Sequence, residues 1–343
     1  MRIRYFGRSH FERRNMTFSL VLIIVLSLGF DLLNGIHDSS NIVATMISSR
    51  AMPPKAALAL TAISEFSGPF IFGVAVAKTI GDEIVVPGTI NIEILIAALI
   101  SAIGWNLLTW WLGFPSSSSH ALIGGLAGAV IAGAGFQAIK LSGFEKIIIV
   151  LFTSPLIGFS VGYIITQIVF RLSWKASPKV NTLFKRFQIV SSISLALSHG
   201  ANDAQKSMGI ITLALVTTGV IDSFKVPLWV IIACSSMIAL GTSLGGWKLI
   251  RTLGSKFYKI KPVDAFCSQL SSASVILGAS LMGGPVSTTQ VVSTAIMGVG
   301  AAERINKVRW GVAGEIATAW FLTIPATGLV AAGVYWAISR LFM

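Results

Sequence analysis

The chain has 343 residues, 54% of them hydrophobic and 11% charged, with a mean hydropathy of +0.81. Soluble domains carry about 25% charged residues, and disordered chains are poor in apolar ones, so both classes are excluded. The net charge of +13 would suggest nucleic acid in a soluble protein, but the basic residues collect in the gaps between apolar runs. Arg171, Lys175, Lys179, Lys185 and Arg186 share one gap, and Lys248, Arg251, Lys256, Lys259 and Lys261 another. That pattern reads as cytoplasmic loops of a membrane protein, with no nucleic-acid face.

In chain order, a basic tail over 1–15 has five Arg against Glu12. Apolar, nearly charge-free runs follow at 15–30, 56–77, 94–139, 147–170, 187–202, 207–221, 226–247, 265–302 and 316–339. The run 94–139 is 46 residues without Asp, Glu, Lys or Arg, about twice the ~20 that one spanning helix needs. The expectation is an all-α polytopic membrane protein with roughly ten to twelve transmembrane segments, broken or re-entrant helices included. Half-helices leave the parity of crossings open, and with it the side of the tail. The first apolar run continues straight into polar residues, which argues against a separate cleavable signal. Cys234 and Cys267 have no metal spacing around them and read as buried, inert thiols.

The chain resembles itself. Gly35-Ile36-His37-Asp38-Ser39-Ser40-Asn41 recurs, 165 residues on, as Gly200-Ala201-Asn202-Asp203-Ala204-Gln205-Lys206. Pro115-Ser116-Ser117-Ser118-Ser119-His120 recurs, 170 residues on, as Pro285-Val286-Ser287-Thr288-Thr289-Gln290. Two motif pairs in the same order at almost one offset indicate a duplication. The expected organisation is a tail over 1–15, a first transmembrane repeat over 16–170, a basic cytoplasmic linker over 171–186 and a second repeat over 187–343. Transporters are commonly built this way, with substrate bound at mid-membrane between the halves; spacing alone leaves open whether the repeats are inverted or parallel.

The motifs carry the chemistry. Polar groups bracketed by membrane-competent sequence are costly unless they face a cavity or partners, so each Asp motif reads as a site. Gly35 and Gly200 would permit an unwound turn exposing oxygens to a small cation, with Asp38 and Asp203 as charged, sodium-type ligands. Capping of broken helix ends by the same Asp residues is the alternative. In the second motif a proline, then hydroxyls, then a Gly/Ala-rich run describe a helix whose N-terminus points into the protein, where unpaired N–H groups bind anions. Ser117, Ser118, Ser119, Ser287, Thr288 and Thr289 would add donors for a tetrahedral oxyanion, or merely satisfy backbone. Lys206 could pair with Asp38, with Asp203 or with the anion, or form a structural salt bridge. His37, His120 and His199 all fall in or beside the motifs and are proton carriers or hydrogen-bonding residues. Glu65, an acid inside an apolar run, is a candidate cation ligand; Glu315 is similar, though its nearness to Arg309 also suits an interface. There is no nucleophile elbow for a hydrolase and no phosphate-binding loop for a nucleotidase, so the reading is not an enzyme, and any energy comes from an ion gradient.

On these residues the chain resembles the inorganic phosphate transporter (PiT) family, in particular its short bacterial members. The family's G-x-N-D-x-x-N signature is matched at Gly35 to Asn41 and at Gly200 to Lys206, and its paired P-x-S-[ST]-[ST]-H runs at Pro115 to His120 and at Pro285 to Gln290; Gly245-Gly246-Trp247-Lys248 belongs to the likeness. The resemblance implies two inverted-topology repeats, a homodimer, a bacterial or archaeal plasma membrane, and symport of inorganic phosphate with sodium or protons as coupling ion, with no tightly bound cofactor. It also implies that Asp38, Asn41, Asn202 and Asp203 bind cations and substrate, and that the two hydroxyl runs surround the phosphate. Glu65 matches an acid that sodium-coupled members need. His37 in place of Asn, Lys206 in place of Asn, Gln290 in place of His and Gln269 in place of a second acid are departures; His37 and Lys206 point toward protons as Glu65 points toward sodium. The alternatives are a sulfate symporter of the same fold and a passive anion channel or facilitator.

Overall fold

The computed structural model describes residues 10–86, 88–113, 116–177, 179–246, 260–308 and 310–342, without the side chains of 10–15, 312, 315, 316, 341 and 342. Pro115, Trp247, Lys248, Arg251, Lys256, Lys259, Arg309, most of the tail and the side chain of Glu315 lie outside the described residues. Within them the chain is helical, with a lone bridge between Val85 and Ile139. The helices are α1 (His10–Ser48), α2 (Pro54–Phe72), α3 (Ala75–Lys78), α4 (Ile92–Leu112), α5 (Ser118–Ala134), α6 (Leu141–Leu172), α7 (Val180–Thr217), α8 (Leu228–Leu244), α9 (Pro262–Leu281), α10 (Thr288–Glu303) and α11 (Trp310–Phe342).

Among the described residues, four stretches are long and apolar enough to cross a bilayer: Met16–Ser48, Ile92–Leu112, Leu141–Leu172 and Ala317–Arg340. A fifth is the bent pair Pro54–Phe72 and Ala75–Glu83, which turns by 72°. Helices α5 and α8 are apolar but too short to span on their own, as half-helices are. Helix α7 is long enough, but His199, Asn202, Asp203, Gln205 and Lys206 lower its hydropathy, and all five are buried by the protein rather than offered to lipid.

The helix ends follow local chemistry. Asn91 caps α4 by accepting from the Ile94 N–H, and α4 closes on Gly113 at φ 74°, a left-handed position that suits glycine. Prolines open α2 and α9, where a missing N–H costs nothing.

Helices α1 and α7, which carry the two Asp motifs, run antiparallel. Ser49 at the end of α1 donates to Gln188 near the start of α7 (2.6 Å), while Ser207, far along α7, donates to the Ser27 carbonyl (3.1 Å). The halves interlock: α1 packs on α8 and α2 on α7, α5 on α11 and α6 on α10.

The expected unwound turns at Gly35 and Gly200 are not formed, because α1 and α7 run through both glycines without a break. The glycines serve close approach instead. A Cβ at Gly35 would overlap the Ile238 carbonyl oxygen of α8, and one at Gly200 the Glu65 carbonyl oxygen of α2. Lacking side chains, they let the swapped helices touch backbone to backbone.

At the outer ends of α9 and α10, Lys261 lies 2.8 Å from Glu303, and Lys307 reaches both Glu303 and Asp264. Burial works against the Glu303 carboxylate, but hydrogen bonds from Lys261 and Lys307 outweigh it and hold the group below the usual carboxylate range.

Candidate substrate and cation site

Along α1 the residues Ser27, Asp31, Asn34, Asp38, Asn41 and Thr45 follow one another at steps of four and three, which places them on one face of the helix. All six are buried. Helix α7 turns His199, Asp203 and Lys206 toward that stripe, and the first turn of α10 adds Thr288 and Thr289.

The two motif aspartates meet at this junction. Asp38 Oδ1 accepts from Asn41 (2.7 Å) and Thr289 (2.8 Å), and His37 Nδ1 lies 3.2 Å away. The Thr288 hydroxyl is 3.4 Å from Asp38 Oδ2 and from Asp203 Oδ2, so one side chain touches both motif aspartates. Asp203 Oδ2 accepts from Asn34 (2.9 Å), and its Oδ1 lies 2.8 Å from Lys206 Nζ. His199 binds the set together: its Nε2 is 3.6 Å from each aspartate and its Nδ1 is 2.8 Å from Glu65. Thr242 of α8 donates to the other Glu65 oxygen.

Three buried carboxylates thus face one lysine and the imidazole of His199, with His37 behind Asp38. Cationic charge is in short supply there, and a small cation would relieve the repulsion that burial magnifies. One oxygen of each aspartate and a His199 nitrogen lie within 4.8 Å of one another. The aspartate and threonine oxygens are the hard donors that an alkali cation takes; an imidazole is not.

Beside this cluster lie the two hydroxyl runs. Ser117 and Ser287 are the N-caps of α5 and α10, each accepting from the N–H three residues on, His120 and Gln290. The runs touch, with the Ser119 hydroxyl donating to the Val286 carbonyl (2.7 Å) and Gln290 Nε2 3.4 Å from the His120 ring. Two buried helix N-termini in contact form an anion-attracting surface beside the carboxylate cluster.

Of the residues singled out from the sequence, Asp38, Asp203, Glu65, Asn41, His37, Lys206, Thr288 and Thr289 come together here. Ser117, Ser118, Ser119 and Ser287 form the neighbouring helix ends. Asn202 points elsewhere: it donates to Ser280 (2.8 Å) and Gly284 (3.2 Å) and accepts from Val286 N, so it fastens the segment leading into α10. Sequence reasoning did not assign the bridging position to His199, gave Asn34 no role of its own, and missed Thr242. The period of the α1 stripe was a signal for Asn34; nothing in the sequence marks Thr242.

Known proteins share this sequence and this architecture. A model described as "Phosphate transporter family" matches residues 34–331. A Bacillus subtilis protein called "Probable low-affinity inorganic phosphate transporter" is 45% identical over 94% of this chain and 98% of its own length. A Rhizobium meliloti protein of the same description is 45% identical over 93% and 96%. A solved structure described as "The sodium-dependent phosphate transporter" superposes with a TM-score of 0.83 at 25% identity, over 94% of this chain and 99% of that one.

Proposed function

The chain belongs to the phosphate transporter family and is an inorganic phosphate transporter, and from that premise we propose that it works by cation-coupled symport, with alternating access between two inverted repeats. The opposed directions of α1 and α7 and the swapped packing of the halves support inversion of the repeats over 16–170 and 187–343. The sodium dependence of the solved relative, together with Glu65, supports sodium as a coupling ion. A dimer is carried over from the family likeness.

One observation carries the mechanism: the Thr288 and Thr289 hydroxyls, at the N-terminus that should receive the anion, are committed to Asp38 and Asp203. A cation bound by those carboxylates takes over their oxygens. It thereby frees the two hydroxyls, and the Lys206 ammonium held by Asp203, to bind an oxyanion. The phosphate then docks between the α5 and α10 N-termini, against Ser117, Ser118, Ser119, Ser287, Thr288 and Thr289. Each cargo removes a cost that the other would meet alone, so the two affinities rise together and reciprocally. Asn41 orients Asp38 and Thr289, and Asn202 holds the loop that positions α10.

The test is uptake of labelled phosphate by purified protein in liposomes, under an inward sodium gradient at equal pH and then under a proton gradient without sodium, with sulfate as competitor. Accumulation above equilibrium that sulfate does not displace is the expected result. Equilibration without accumulation under either gradient would instead describe a facilitator.

A further inference from the structure

Resting on the transport reading above, we propose that Asp31 is a second cation position in this chain, one that takes a proton, separate from the Asp38 and Asp203 cluster. Asp31 lies seven residues before Asp38 on the same face of α1, about 10 Å along the helix axis. It is 0% exposed. Its Oδ1 accepts one short hydrogen bond, from Ser207 (2.6 Å), its Oδ2 has no nitrogen or oxygen partner, and the Cys234 thiol is the only other donor facing the carboxyl among the described residues, a weak one. One turn to either side, the Ser27 hydroxyl and the Asn34 side-chain oxygen are also buried without a partner.

The groups around Asp31 do not neutralise it. From α7 it is faced by Asp203 and Lys206, and from α8 by the Cys234 thiol. The Lys206 ammonium is 2.8 Å from Asp203, not with Asp31. Helix α4 has no titratable residue from Ile94 to Leu112, and the buried acid of α2, Glu65, is engaged by His199 and Thr242. The Ser207 hydrogen bond offsets only part of the desolvation cost of a charged carboxylate in such a place, and a proton removes the rest. The lining also argues for a proton over sodium: one serine and a soft thiol offer too few hard oxygens to replace a hydration shell.

The position is placed to act on the transport cycle. Ser207 directly follows Lys206, and Asn34, the next stripe residue after Asp31, donates to Asp203. Asp31 lies on the side of the cluster away from the 171–186 linker. At that same end of α7 a cavity of about 400 Å³, lined by Leu213, Val216 and Thr217, has Asp82 and Asp222 in its wall, with the Lys140 ammonium on the Asp82 carbonyl. Four residues before the matching glycine of the second repeat stands Ala196, so the duplication supplies one such position per chain.

The experiment uses Asp31→Asn, which keeps the Ser207 contact and mimics the neutral acid. In proteoliposomes without sodium, accumulation driven by an imposed proton gradient should fall by about tenfold or more, while exchange of external labelled for internal unlabelled phosphate stays within about twofold and loses its pH dependence. Infrared spectra of the wild-type protein should contain a protonated-carboxyl band that Asp31→Asn lacks. Ser207→Ala, which leaves the acid but removes its hydrogen bond, should shift that band, a readout that holds even where Asp31→Asn does not fold. Wild-type accumulation by the variant, a wild-type protein driven by sodium and indifferent to protons, or a band unchanged by both substitutions would each overturn the proposal. Failure of the wild-type protein to move phosphate under any gradient would overturn the transport reading, whereas the infrared band reports on Asp31 alone.

Discussion

The two halves of the molecule share a scaffold but not a chemistry. Gly35 in α1 meets α8, and Gly200 in α7 meets α2, in matching crossings. Gly68 and Gly241 are the facing partners, and three residues before each stands a different group: Glu65 in the first half, Ile238 in the second. Asp38 is held by Asn41 and Thr289 with His37 3.2 Å away, whereas Asp203 is paired with Lys206. The matching glycine crossings thus fix where the helices meet, and individual side chains then set where the charge lies. In the proposed alternating-access cycle, the first would let the halves rock between equivalent states and the second would give the cycle its cargo.

The sharpest way to break the comparison is to neutralise the one pair that both halves share. Asp38→Asn or Asp203→Asn should reduce driven phosphate uptake by about 100-fold or more, the effect expected when a buried ionic partner is removed, in protein that remains monodisperse. Near-normal uptake by both would separate the aspartates from coupling. Next come the unmatched positions: Glu65→Gln should weaken sodium-dependent uptake by about tenfold, while Ile238→Val, its counterpart, should stay within about twofold. Equal losses at the two positions would mean that Glu65 matters for packing alone.

The shared scaffold gives a smaller effect. Gly35→Ala and Gly200→Ala should each lower thermal stability by about 1 to 3 kcal/mol, since a Cβ there meets backbone that cannot step aside; unchanged melting in detergent would contradict the close crossings. Smallest is the ion-pair cluster outside the spans. Glu303→Gln should cost less than about 1 kcal/mol at neutral pH. Because the folded carboxylate titrates below its unfolded value, its contribution is present above the unfolded pKa and disappears as pH falls through the folded one. Melting curves of the variant and parent should therefore converge at acidic pH.

Much of this was legible in the sequence. The offset between the motifs identified the pair Asp38 and Asp203, and the hydroxyl runs announced two matching helix starts, found with Ser117 and Ser287 as N-caps. What could not be read was the use made of each glycine. A glycine that frees the backbone and one that admits a neighbouring helix look alike in sequence, and only the approach of Ile238 and Glu65 shows that the second use holds. Asn202 misled for a related reason. It belongs to the motif, but its amide is turned by the helix toward Ser280 and Gly284, a direction that depends on where α9 lies. The count of roughly ten to twelve segments rested on apolar runs, which divide the single helix α7 into 187–202 and 207–221 at its polar motif.

The central claim is that cation and phosphate bind interdependently through the carboxylates that hold Thr288 and Thr289. Its most direct test is phosphate binding to the purified protein, titrated calorimetrically with and without sodium and at two pH values, in the wild type and in Asp38→Asn. The account predicts that sodium or protons tighten phosphate binding to the wild type, that phosphate tightens cation binding by the same factor, and that the variant loses this dependence. Phosphate affinity in the wild type that is indifferent to both cations would contradict it.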